Sequence, residues 1–120
     1  MTEERLKDYA DIKAELLQLE RLRGSSIEEA RRIERRGWFP HYTTNPIHLE
    51  LVALYDGKIA AAKAELQAVE EAIAAVPDDT ARELLQLRYL KGMTWDAVSL
   101  AMCYSYTNVH RLHRKALAML

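Results

Sequence analysis

A chain of 120 residues is one domain's worth, or a small domain with an appended helical element. At 49% hydrophobic and 29% charged, with a net charge of −1, it falls in the globular range and outside the disordered one. Its single cysteine, Cys103, excludes an internal disulfide framework and a cysteine-rich zinc module, and no run of about 18 apolar residues is present to span a membrane.

The chain starts Met1-Thr2-Glu3-Glu4-Arg5, mixed in charge and without an apolar run, so no signal peptide and a cytoplasmic location are expected. From Thr2 to Arg23 the spacing predicts a helix: Tyr9, Ile12, Leu16 and Leu19 recur at 3-4-3, and Leu6, Leu17 and Leu22 widen the stripe. Gly24-Ser25-Ser26 is expected to stop it. Residues 24–45 are the least regular stretch. Ser26-Ile27-Glu28-Glu29 has the form of a capping box, which would start a short helix running to about Arg35. Arg31, Arg32, Arg35 and Arg36 place four cations on two turns, with Trp38, Phe39, His41 and Tyr42 behind them. Two readings stay open there: a phosphate or partner contact, or a solvated helix whose trailing aromatics pack on its neighbours.

Asn45-Pro46 is an N-cap followed by proline at the first helical position. Beyond it Val52, Tyr55, Ile59, Ala62, Leu66, Val69, Ile73 and Val76 repeat at 3-4-3-4-3-4-3, nearly four heptads, which predicts a long helix with coiled-coil packing. Gly57 lies inside as a weak point, and Pro77 ends the run. Ala60, Ala64, Ala68 and Ala75 form a small face that reads as helix filler or as room for another helix. The simplest arrangement pairs 2–23 with 46–76 as an antiparallel hairpin, which would also serve to join two copies of the chain.

The last third differs in charge. Residues 77–120 carry six Lys/Arg against four Asp/Glu, and positions 105–117 carry no acid at all. Asp78-Asp79-Thr80 opens a helix with acids at its positive end, and Lys91-Gly92 closes it. Thr94 is placed to cap a short helix from Trp95 to Met102, and Ser105 to cap a last helix from Tyr106 to about Met119. Three helices with a short turn between the last two predict a helix-turn-helix. Val98 and Met102 supply its apolar pair, Ser99 its small crossing residue, and Tyr104 an apolar turn residue. Val109, Leu112 and Ala116 face inward from the last helix. Tyr106, Thr107, Asn108, His110, Arg111 and Arg114 are then left outward, where recognition helices meet base edges. Glycine usually stands where this turn has Cys103, so either the turn takes another backbone geometry or Cys103 is strained.

Leu87-Arg88-Tyr89, Thr94-Trp95-Asp96-Ala97-Val98, Tyr104-Ser105-Tyr106-Thr107-Asn108-Val109 and Arg111-Leu112-His113-Arg114-Lys115-Ala116-Leu117 together resemble region 4 of sigma-70-type factors. The likeness is especially to the small phage and prophage relatives of that fold, the RinA-like and ArpU-like transcriptional regulators, and covers roughly 79–120. It implies a last helix in the major groove, with Tyr106, Thr107, Asn108, His110, Arg111 and Arg114 on DNA and RNA polymerase as a further contact. Nothing resembles the sigma region that melts promoter DNA.

From the residues themselves, Arg111 suits guanine and Asn108 adenine. Arg88, Lys91 and Lys115 suit phosphates, and the helix N-termini at Thr94 and Ser105 can hold them. His110 and His113 titrate near neutrality, which would raise DNA affinity as the pH falls toward 6. Their convergence with Cys103 is too poor for zinc, and no metal or cofactor is expected. No serine elbow, phosphate loop or zinc-protease pattern is present, so no enzyme is expected.

The expectation is therefore an all-α chain: a hairpin over 1–76 with an irregular 24–45 connection, then a three-helix DNA-binding domain over 77–120. Its partner would be double-stranded DNA. Two other classes remain open, a coiled-coil adaptor that binds RNA polymerase and a DNA-packaging subunit like a phage small terminase.

Overall fold

The computed structural model describes residues 1–120 and is all-helical. Helices α1 (Glu3–Arg35) and α2 (Pro46–Ala74) are long, and α3 (Asp79–Leu85), α4 (Trp95–Met102) and α5 (Tyr106–Ala118) are short. A 3-10 turn, Tyr42–Thr44, precedes α2, and α3 ends in one π-helical turn, Gln86–Leu90. No helix is long and apolar enough to cross a membrane.

The break expected at Gly24-Ser25-Ser26 is absent, and α1 runs through it for 33 residues. A lone glycine in a helix interior costs about 1 kcal/mol against alanine, too little to end a helix whose flanking turns pack on both sides of it. Ile27 is half-buried and Ala30 buried on the same face as Leu19, so the apolar stripe continues past the glycine. The capping-box residues Ser26 and Glu29 consequently start nothing, and the connection shrinks from 24–45 to 36–45.

Contacts divide the chain into two compact units, residues 1–12 with 65–120, and residues 13–64. This division passes through both long helices and differs from the expected 1–76 and 77–120.

In the unit 13–64 the two helices run antiparallel: Glu20 lies 3.9 Å from Lys63, and further along α1 Arg23 lies 2.5 Å from Asp56. Leu19, Ala30 and Ala62 are buried there, and His48 joins them at the head of the α2 stripe. The end of α1 is tied to the connection through Glu34, which accepts from the Thr43 N–H at 3.0 Å and the Thr43 hydroxyl at 2.8 Å. Those two bonds hold the Glu34 carboxyl below the usual carboxylate range. Asn45 caps α2 as expected, accepting from the Ile47 N–H at 2.9 Å. Of the aromatics behind the arginines, Tyr42 packs on His48, while Trp38 and Phe39 are exposed.

The other unit holds the larger core. Leu6 and Tyr9 of α1 and Leu66, Val69, Ile73 and Val76 from the end of the α2 heptads are buried, together with Ala81, Leu84 and Leu85 of α3, Val98 of α4 and Val109 and Ala116 of α5. The Tyr9 hydroxyl donates to Glu70 at 2.7 Å, and burial with that carboxylate pushes the phenol up to about 12. Three caps start the short helices. Asp78 accepts from Thr80 and Ala81, Thr94 from Ala97 and Ser105 from Asn108. Gly92, at φ +68°, turns the chain after the π-helical turn.

Candidate nucleic-acid interface

Helix α5 is set by its inward side. Val109 and Ala116 are fully buried, Leu112 is half-buried, and α5 packs against α3 and α4. The three residues Cys103–Ser105 join α4 to α5. Cys103 takes φ +58° and ψ +36°, left-handed backbone that costs a non-glycine residue about 1 kcal/mol or more. Of the two options at this turn, the chain therefore takes the strained one. The Ser99 hydroxyl donates to the Tyr104 carbonyl across the turn, so the small residue expected at the crossing also ties the turn to α4. Tyr104, the apolar residue of the turn, is 41% exposed.

With that side fixed, Tyr106, Thr107, Asn108, Arg111, Arg114 and Lys115 are exposed. Asn108, Arg111 and Lys115, at spacings of 3 and 4, line one shallow groove of about 310 Å³ with Thr80, Tyr104 and Leu112. Two cations, an amide and two hydroxyls thus border an open trough along a helix that carries no acid. Lys91 is exposed at the end of α3.

Two expected contacts, His110 and Arg88, are placed otherwise. His110 does not face out: its ring lies 4.8 Å from Trp95 and 4.3 Å from Tyr106, and its Nε2 is buried without a partner. Arg88 is half-buried. It stacks 4.6 Å over the Trp95 ring, and its Nη1 donates to the Met93 carbonyl at 2.8 Å, so it closes the α3–α4 connection rather than reaching outward. The hydroxyls of Thr94 and Ser105 cap α4 and α5 as expected, accepting from the Ala97 and Asn108 N–H groups at 3.2 Å each.

His113 is buried, 2.7 Å from the Tyr89 hydroxyl through Nε2 and 4.6 Å from Trp95. Burial lowers its pKa, opposed by Glu3 and reinforced by His110, Arg88 and Lys7. Burial also raises the Tyr89 phenol. His113 therefore takes up a proton less readily than a free histidine, which works against the rise in DNA affinity expected from it at falling pH. This aromatic lock between α3, α4 and α5 escapes sequence reading because Tyr89, Trp95, His110 and His113 share no local spacing that signals contact. Only the place of His113 beside the apolar seam hints at it. No three of His, Cys, Asp and Glu gather to hold a metal ion.

No family model, curated protein or solved structure matches the chain.

Proposed function

We propose that α4, the Cys103–Ser105 turn and α5 form a helix-turn-helix that binds double-stranded DNA and regulates transcription. The observation that carries this reading is the exposed, acid-free side of α5, on which Asn108, Arg111 and Lys115 share one groove while the opposite side is locked into the core. Arg and Asn are the side chains that pair two-point with guanine and adenine in the major groove. Arg114, Lys115 and Lys91 supply phosphate charge on the same domain. The resemblance of 79–120 to sigma region 4 supports the choice of a promoter-type target, phage or prophage genes as its setting, and RNA polymerase as a further partner.

His110 and Arg88 leave the contact set. His110 instead orients Tyr106 at the start of α5, and Arg88 acts through Trp95 to place α4. The base-facing set is thereby reduced to Tyr106, Thr107, Asn108, Arg111 and Arg114.

The test is a fluorescence-anisotropy titration of labelled duplex DNA with wild type and with Arg111→Ala/Arg114→Ala. Wild type binds, and the variant binds about tenfold or more weakly. No binding by wild type at micromolar protein and about 50 mM salt, where non-specific contacts are strongest, refutes the reading.

A further inference from the structure

Helix α2 has a second apolar stripe that its antiparallel partner does not cover. Ile47, Leu51 and Leu54 follow 4-3 spacing on one side of the helix and are 78%, 40% and 54% exposed. Across the hairpin on the same side stands Leu22 of α1, 40% exposed, which with Leu51 borders a groove of about 320 Å³. The groove is floored by Ser26, Ala30 and Ile33 and closed at the connection by Tyr42. Phe39 packs edge-on against Tyr42 and is itself 60% exposed.

A pair of helices with one shared seam buries little by itself: within 13–64 only Leu19, Ala30, His48 and Ala62 are buried. Together, Leu22, Phe39, Ile47, Leu51 and Leu54 leave on the order of 500 Å² of apolar side chain in water, at the upper end of what a monomer carries in a single patch. A standard interface buries about 800 Å² per partner, about two-thirds of it apolar in homodimers, so this patch is the size of one protomer's share.

We propose that this side of the 13–64 hairpin is a homodimer surface, on which two copies pack as a four-helix bundle. The inference goes beyond DNA binding and does not need it, but a dimer also brings two α5 helices to one assembly, as paired half-sites require.

Sedimentation velocity across micromolar concentrations, without DNA, tests the surface on its own. Wild type and Leu49→Glu, whose site is 51% exposed on another side of α2, are expected to sediment at twice the monomer mass. Ile47→Glu/Leu54→Glu is expected to sediment as a monomer with its far-ultraviolet helicity kept. If the paired glutamates unfold the hairpin, Ile47→Ser/Leu54→Ser removes the same apolar area without charge and decides in the same way. A monomeric wild type, an assembly larger than two, a dimer that survives the paired substitution, or equal dissociation by Leu49→Glu overturns the proposal. DNA binding is read separately by anisotropy, so failure of one reading is distinguishable from failure of the other.

Discussion

Tyr89→Phe removes one hydroxyl and leaves the ring that packs beside His113. In the folded chain that hydroxyl is the hydrogen-bond partner of His113 Nε2 at 2.7 Å, and both residues are buried. A buried polar atom stripped of its partner costs about 1–3 kcal/mol, since water cannot replace the lost bond. For a chain of this length that corresponds to a fall in melting temperature of about 4–12 °C, readable by circular dichroism. Tyr89→Phe/His113→Leu removes both partners and should recover much of the loss, giving a coupling of about 1 kcal/mol or more in a double-mutant cycle. The lock also sets a pH dependence. His113 has a lowered pKa in the folded chain, while in the unfolded chain it titrates near 6.5. Below about 6.5 the unfolded chain therefore binds the proton that the folded chain refuses. Stability is full above that pH and falls as the pH drops through it, at up to about 1.4 kcal/mol per unit, until the folded histidine titrates. The gap between wild type and Tyr89→Phe/His113→Leu should shift in favour of the variant over that window. An unchanged melting temperature in Tyr89→Phe, together with parallel pH profiles, would refute the lock.

Two backbone positions make opposite predictions. Gly24 lies in the interior of α1, and a Cβ there meets nothing within 4 Å, so Gly24→Ala should stabilise by about 0.5–1 kcal/mol and raise helicity; a loss of stability would restore the break that α1 lacks. Cys103 occupies left-handed backbone, so in chemical denaturation Cys103→Gly should prove neutral to about 1 kcal/mol stabilising, the relief of strain outweighing the added freedom of the unfolded chain. A clear destabilisation would show that the turn is not strained. Ser105→Ala should cost about 1 kcal/mol through the lost cap at Asn108 N–H, and a thermal melt unchanged by it would contradict the cap geometry.

Much of the helical order is legible in the sequence because local chemistry decides it. Asn45-Pro46, Asp78, Thr94 and Ser105 each sit immediately before a helix and supply the oxygen its first N–H groups need. The heptads from Val52 to Val76 are half-buried at their start and buried from Ala62 onward. What local chemistry misreads is Gly24, where a break of propensity is outweighed by the packing of Leu19 and Ala30 on either side. At the candidate interface, periodicity separates Val109 and Ala116 from Asn108, Arg111 and Lys115 correctly. It fails for His110 and Arg88, because their positions depend on Trp95, which arrives from a different helix.

The DNA reading is tested most directly by the salt dependence of binding. Each phosphate neutralised by a cation releases counterions, so log K falls with log salt by about 0.9 per contact. With Arg111, Arg114, Lys115 and Lys91 exposed on one domain, wild type should show a steep negative slope, and Arg111→Ala/Arg114→Ala should flatten it by about 1 for each cation on a phosphate while weakening binding at every salt. The same slope and affinity in wild type and variant would contradict a DNA-binding α5.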